Sequence, residues 1–360
     1  MALRQALRRP GDIPERLRSA PIADLEALCQ RYPMLVPAGY LGLALDGRRG
    51  RFSQGAPEGK DWQNHPLLRM VLPDPVELAE DALGLADPLA EESYSPVFGL
   101  VHHYPDRALL LVTTLCASYC RFCTRKRLAG RGWSLLTDEQ LDRVCDYLGG
   151  HPEVREVLVS GGDPLVLPDE TLNRILSRLR ALPTVRILRL GSRVPAVLPE
   201  RIDASLAAML ARHGPLYLVT HFNHPAELDS EARRALTILA DAGLPLANQT
   251  VLLKGVNDDL DTLVALSERL VENRVRPYYL HVMDRTLGTA HFRVPLDRAL
   301  ELARGLRRRL GGLAVPLLMV DLPGGGGKVP LGADHVVERD ASGTWLLRDV
   351  EGRIHRFRDG

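Results

Sequence analysis

The sequence predicts an α/β protein: a parallel sheet of six βα units, with a helical region before it and a short β segment after it. Three observations carry that reading. From about residue 108, six short apolar runs alternate with amphipathic helical stretches at a spacing of roughly 30 residues, the pattern of strands joined by crossover helices. Residues 1–95 read as short helices broken by Pro and Gly, with no strand pattern. Residues 331–360 read as three short strands separated by turns. The expected divisions are therefore 1–95, 96–330 and 331–360.

In chain order, "PIADLEALCQRY" and "PDPVELAEDALGLA" supply the early helices. The strand runs are "LLLVTT" (109–114), "EVLVS" (156–160), "TVRILRL" (184–190), "PLYLVTHF" (215–222), "LANQTVLL" (246–253) and "YYLHV" (278–282). Between them, "TDEQLDRVCDYL" opens with Thr137 and Gln140 at capping-box spacing. "DETLNRILSRLRAL" opens on Asp169, and "SEARRALTILADAG" opens on Ser230 and closes on Gly243. A seventh apolar run, "VPLLMVDL" (315–322), leads into "PGGGGKVP". Six units are too many for most small open sheets and fewer than the eight of a closed barrel. An open doubly wound sheet and a partial barrel both fit, and in each the ligands gather at the C-terminal strand ends.

The composition bounds the function. At 360 residues with 45% apolar side chains, the chain has material for a large core. A net charge of +1 gives no support for electrostatic binding to nucleic acid or to an anionic membrane. No run approaches the ~20 apolar residues of a membrane span. The basic N-terminus lacks the apolar core of a secretory signal. Five unevenly spread cysteines argue against a disulfide framework and for a reducing, cytoplasmic setting. Cys29 and Cys145 fall in helical patterns and read as packing residues.

The other three cysteines are Cys116, Cys120 and Cys123, in "CASYCRFCTRKR". Zinc is disfavoured, because structural zinc takes a fourth ligand and paired C-x2-C units. Three thiolates on one loop suit a 4Fe–4S cluster with one iron left open to a ligand. After the second strand, Gly161 and Gly162 in "SGGD" would let the backbone approach a ligand closely. "DLPGGGGKVP" fails as a phosphate-binding P-loop, because Leu322 and Val329 stand where Gly and Ser or Thr are required. A lysine on a glycine loop at a strand end can instead condense with an aldehyde, as pyridoxal phosphate requires.

The Cys116-x3-Cys120-x2-Cys123 spacing, with Phe122 before the last cysteine, resembles the radical S-adenosylmethionine (radical SAM) superfamily. With "PGGGGK" beside it, the chain resembles the lysine 2,3-aminomutase family. The likeness extends through "CTRKRLAG", "GSRVPAVLP", "THFNHP", "NQTVLLKGVND", "RPYYLHVMD" and "GTAHFRVP", from roughly Asp87 to about residue 335. The resemblance implies a partial parallel (βα)6-type barrel. It implies a 4Fe–4S cluster on the three cysteines, with S-adenosylmethionine on the open iron. An electron then yields a 5′-deoxyadenosyl radical that abstracts a substrate hydrogen and later returns it. It also implies pyridoxal phosphate held by Lys328, on which the amino group migrates.

By the same resemblance, Tyr104 and Arg107 sit around the pyridoxal phosphate, with His103 where a family arginine is expected. Gly161, Gly162 and Asp163 match the element at the methionine amino group, and His221 and Gln249 match positions near the adenosyl group. Arg125 matches the arginine that grips the substrate carboxylate, a task suited to a guanidinium fork. Lys126 and Arg127 read as general or solvated charge. Asp284 and Asp321 match the pair that binds the side-chain ammonium of lysine. The implied reaction is L-lysine to β-lysine, with arginine, glutamate or a non-catalytic iron–sulfur role as alternatives. A flavodoxin or ferredoxin electron donor and a homo-oligomer are further expectations. The chain shows no cysteine after Cys145, and Asp259 stands where relatives supply a zinc ligand, so no zinc site is expected.

Overall fold

The computed structural model describes residues 6–46, 49, 59–332, 336–339, 345–349 and 352–357. Three helices lie in the N-terminal region: α1 (Ile22–Arg31), α2 (Ala38–Asp46) and α3 (Pro66–Arg69). The central sheet has nine strands in chain order. Strands β1 (Leu100–Tyr104) and β2 (Arg107–Leu111) form an antiparallel hairpin. From β2 the sheet runs parallel through β3 (Glu156–Ser160), β4 (Ile187–Ser192), β5 (Leu216–Thr220), β6 (Leu246–Val251), β7 (Val275–His281) and β8 (Leu317–Leu322). Strand β9 (Gly327–Pro330) folds back antiparallel on β8.

Six crossovers join the seven parallel strands. They carry α4 (Asp138–Gly149), α5 (Asp169–Arg180), α6 (Val194–Val197) with α7 (Ala204–Ala211), α8 (Ser230–Asp241), α9 (Leu260–Glu272) and α10 (Leu296–Arg309). This is the partial (βα)6-type barrel, with the seventh run, 315–322, as its last parallel strand. Helix α4 begins at the expected capping box, in which the Thr137 hydroxyl accepts from the Gln140 N–H and the Gln140 side chain accepts from the Thr137 N–H.

Side-chain alternation decides where the core sits. Val157 and Val159 of β3, Leu188 and Leu190 of β4, and Leu216 and Leu218 of β5 are buried on the outer face. There they meet helix stripes such as Leu172, Ile175, Leu176 and Leu179 of α5, spaced three and four apart. The intervening residues, Leu158, Arg189, Gly191, Tyr217 and Val219, face inward and line a cavity of about 1570 Å³. The apolar material is thus spent outside the sheet, and the barrel interior is left open.

Two features differ from expectation. Strand β1 has no apolar signal, because "LVHHY" ends in polar rings. The glycine run is a turn, and Lys328 sits on β9 rather than on a loop. The two edge strands are joined by a side chain: the Lys328 N–H donates to the Tyr104 hydroxyl at 2.8 Å.

The tail forms a separate three-stranded antiparallel sheet of β10 (Val336–Arg339), β11 (Trp345–Arg348) and β12 (Ile354–Phe357). The expected turn at 341–343 lies outside the described residues, as do 350 and 351 of the next. Cys145 is buried and Cys29 packs against the core. Among the described residues, no helix is long and apolar enough to cross a membrane.

Candidate active site

Every site residue singled out in the sequence lines the one central cavity. Cys116, Cys120 and Cys123 lie on the loop after β2 and are free thiols. Burial, then the charges of Asp163 and the other two cysteines, pushes Cys116 well above its ordinary value. Burial and Cys120 push Cys123 up to about 11. Thiols that repel one another as thiolates in a buried loop call for a positive centre. Among the described residues no three His, Cys, Asp or Glu side chains are placed to hold a single metal ion.

The glycines of "SGGD" line the cavity and also serve the protein's own backbone. A Cβ on Gly161 would collide with the Thr113 carbonyl oxygen, and one on Gly162 with that of Leu115. Gly161 also has φ +133°, a conformation that L side chains rarely adopt. The Gly162 N–H donates to Thr113 O at 2.5 Å and the Asp163 N–H to Leu115 O at 2.7 Å. The element therefore fastens the residues that lead into the first cysteine. The Asp163 carboxylate is fully engaged: it accepts from Ser192 Oγ (2.7 Å) and from the N–H groups of Leu165, Arg193 and Val194 (3.1, 2.7 and 3.1 Å).

Arg125 follows the cysteines and is held by Glu91. Its Nε lies 2.9 and 3.0 Å from the two carboxylate oxygens, and its Nη2 lies 2.7 Å from Oε1. Glu91 thus occupies one edge of the fork and leaves the other for an anion. Lys126 departs from expectation. It is 4% exposed, and its Nζ donates to Glu77 Oε2 (2.5 Å), Arg121 O and Gly288 O (both 2.8 Å). Burial pulls its ammonium down to about 8 against the Glu77 charge. Arg127 pairs with Asp87, Glu91 and Glu92.

The acidic pair and the lysine form one electrostatic unit. Lys328 Nζ donates to Asp321 Oδ2 at 2.6 Å, and His281 Nδ1 lies 3.5 Å from the same oxygen. Burial works to raise Asp321, and the contacts to His281 and Lys328 outweigh it, holding the carboxyl at about 2. Burial first, and the Asp321 charge second, push Asp284 up to about 6.

The edge-strand side chains form a stack. His103 lies between Tyr94 (4.1 Å between centroids) and Tyr104 (4.6 Å), and the Arg107 guanidinium is 3.8 Å from the centre of the Tyr104 ring. The position expected to hold an arginine thus serves stacking. Positive charge comes instead from Arg107, paired with Asp106 at 2.8 Å, and Arg189, paired with Glu156. Both line the cavity. Burial, then the charge of Arg193, drives His221 down to about 3, and its Nε2 is buried without a partner. Gln249 lines the same cavity.

Sequence reasoning missed five supporting residues. Arg193 donates to Cys120 Sγ (2.6 Å) and Glu227 Oε1 (2.8 Å), inside the "GSRVPAVLP" stretch already noted. Tyr40 donates to the same Glu227 oxygen at 2.8 Å. Arg121, between two cysteines, is bound by Glu77 from the 3₁₀ turn Pro75–Leu78. An arginine inside the cysteine spacing was the available signal; its partner, 44 residues away, left none.

The chain is similar in sequence to known proteins. The sequence model of the radical SAM superfamily matches residues 110–266, and a lysine-2,3-aminomutase model matches residues 303–360. The chain is 47% identical over 294 residues to the L-lysine 2,3-aminomutase of Clostridium subterminale, covering 82% of this chain and 70% of that one. It is 43% identical over 299 residues to that of Methanococcus maripaludis, covering 83% and 68%. It is 38% identical over 294 residues to the glutamate 2,3-aminomutase of Clostridioides difficile, covering 82% and 69%. A solved radical SAM methyltransferase from Sphaerobacter thermophilus has a TM-score of 0.44 at 17% identity, over 61% of this chain and 68% of that one. The chain belongs to the lysine 2,3-aminomutase family of radical SAM isomerases.

Proposed function

We propose that the protein converts L-lysine to β-lysine, with pyridoxal phosphate on Lys328 beside the 4Fe–4S cluster and S-adenosylmethionine that the superfamily implies. One observation carries the substrate assignment. Asp321 already holds a primary ammonium, that of Lys328, next to a second half-buried carboxylate, Asp284. Two half-buried carboxylates that repel one another favour a cation between them. The ammonium of a lysine substrate is the same chemical group as the one seated there. A glutamate side chain would add a third negative charge, which disfavours the reaction of the glutamate-acting relative.

When bound, pyridoxal phosphate would carry the migrating nitrogen and S-adenosylmethionine the radical. The protein's own side chains do the positioning. Cys116, Cys120 and Cys123 hold the cluster. The backbone of Gly161 and Gly162 faces the methionine moiety, with Asp163 bracing that turn, and His221 and Gln249 line the cavity where the adenosyl group would lie. Arg125 grips the α-carboxylate with the edge that Glu91 leaves free. Arg107 neutralises phosphate, and Tyr104 holds β9 so that Lys328 points into the cavity. A flavodoxin or ferredoxin supplies the electron.

The direct test is anaerobic. The protein is reconstituted with iron, sulfide, reductant, S-adenosylmethionine and pyridoxal phosphate, and lysine, arginine and glutamate are offered in turn. β-Lysine from lysine alone is the expected result, and its absence sinks the proposal. Lys328→Ala is expected to lose the pyridoxal absorbance band and turnover while keeping its iron.

A pH dependence follows from Asp284. Its carboxyl must be ionised to hold an ammonium, and it titrates near 6. The KM for lysine is therefore expected to rise as pH falls through about 6, with norleucine binding unaffected. A flat KM between pH 5 and 7.5 would contradict the pairing.

A further inference from the structure

The charged side chains lining the cavity are unevenly divided. Among the described residues, the half of the barrel nearer the strand starts carries four arginines, Arg107, Arg189, Arg276 and Arg307, against two carboxylates, Asp106 and Glu156. An excess of positive charge along an enclosed wall attracts an anion. Arg276 is exposed and the Arg107 side chain is 38% exposed, whereas that of Arg189 is 19% exposed. A guanidinium with less water around it acts more strongly on a neighbouring anion. Arg189 also lies beside the lysine of β9. It points inward from β4, between Leu158 of β3 and Tyr217 of β5. Burial and the Tyr278 hydroxyl raise Tyr279, and the charges of Arg189 and Arg107 oppose them, so both guanidinium groups are within electrostatic reach of one hydroxyl. The Tyr279 ring centre is 5.8 Å from Lys328 Nζ. Arg107 lies on the Tyr104 ring, whose hydroxyl accepts from the Lys328 N–H. His103, where an arginine is expected, is taken up in the stack between Tyr94 and Tyr104.

We propose that Arg189 is the second phosphate-binding arginine of the pyridoxal phosphate site, filling with Arg107 the role that His103 leaves open. This rests on the reading that Lys328 carries that cofactor. A phosphate monoester is close to a dianion at neutral pH, and one half-exposed arginine compensates only part of that charge when the group leaves water. A guanidinium fork suits the task, because its parallel N–H groups match two phosphate oxygens at once. The phosphate contacts then come from β2 and from β4, two strands apart in the sheet, rather than from neighbouring residues of one edge strand.

The experiment measures calorimetric dissociation constants on the full chain carrying its iron, anaerobically and without reductant. The probes are pyridoxal phosphate and pyridoxal, which lacks the phosphate. The unaltered protein is expected to bind pyridoxal phosphate about a hundredfold or more tighter than pyridoxal, from two charged contacts at about tenfold each. In Arg189→Met, pyridoxal phosphate should bind about tenfold more weakly, with pyridoxal unchanged. Arg189→Lys, which keeps the charge without the fork, should recover part of the loss. Pyridoxal phosphate binding to Arg189→Met as tightly as to the unaltered protein would overturn the proposal. So would an equal loss for both probes, the mark of disturbed packing. A preference for the phosphate below about tenfold in the unaltered protein also overturns it, and that measurement needs no variant to fold. If borohydride fixes no pyridoxyl group on Lys328 of the unaltered protein, the cofactor reading itself fails, and the Arg189 role fails with it.

Discussion

Replacing Glu77 by alanine is expected to destabilise the fold by about 3–5 kcal/mol, the usual cost of removing one partner from a buried ion pair. It should also lower the iron bound per chain. The Glu77 side chain is fully buried and faces two cations that are nearly as buried, Arg121 at 2.5 Å and Lys126 at 2.5 Å. Burial works against its charge, and the two cations outweigh it, keeping the carboxyl below its ordinary value. Without it, two desolvated positive charges share one small volume. Against a typical domain stability of about 5–15 kcal/mol, that loss is large.

The consequence for the cluster comes from where those cations sit. Arg121 stands between Cys120 and Cys123; its Nη1 donates to Pro33 O at 2.8 Å and its backbone N–H to Met70 O at 2.9 Å. Lys126 closes the same loop through Arg121 O. Glu77 therefore fixes the cysteine loop to the N-terminal region. Replacing all three residues together, as Glu77→Leu with Arg121→Met and Lys126→Met, removes the uncompensated charge and should cost less stability than Glu77→Ala alone. Urea unfolding and iron analysis decide the matter. A midpoint for Glu77→Ala within about 0.5 kcal/mol of the unaltered protein, the ordinary scatter of surface changes, would refute the account.

The same residues show what a sequence does and does not make legible. The parallel strands were readable because each carries closely spaced or alternating apolar residues between helix periods. The cysteine spacing was readable because a cluster's ligands come from one loop. Strand β1 was not, because inward positions on a sheet that encloses a cavity need not be apolar, and His102, His103 and Tyr104 show no alternation. Lys126 was misread for a related reason. In "CTRKR" three adjacent cations look alike, and only the fold shows that Glu77 waits for the middle one. The "SGGD" glycines were legible as glycines, and one of their reasons was not. Sequence shows that a Cβ is missing, and the fold shows that the Thr113 and Leu115 carbonyls occupy the space.

Asp321→Asn is expected to reduce kcat/KM for lysine about a hundredfold or more, in line with the 2–5 kcal/mol lost when one partner of a buried charge pair is truncated. Asp321 is the common partner of Lys328 and His281, so its charge acts on both the proposed cofactor-binding lysine and the proposed ammonium site. The variant carries a second, independent signature. Burial and Asp321 together hold Asp284 near 6, so removing the Asp321 charge leaves burial alone to raise it. The acidic limb of the lysine KM profile should then move to lower pH even though binding is weaker throughout. A simple loss of packing would weaken binding without moving that limb. If Asp321→Asn keeps lysine turnover unchanged, the pair does not bind the ammonium. If it loses turnover with the limb still near 6, Asp321 acts through Lys328 alone and the ammonium belongs to Asp284.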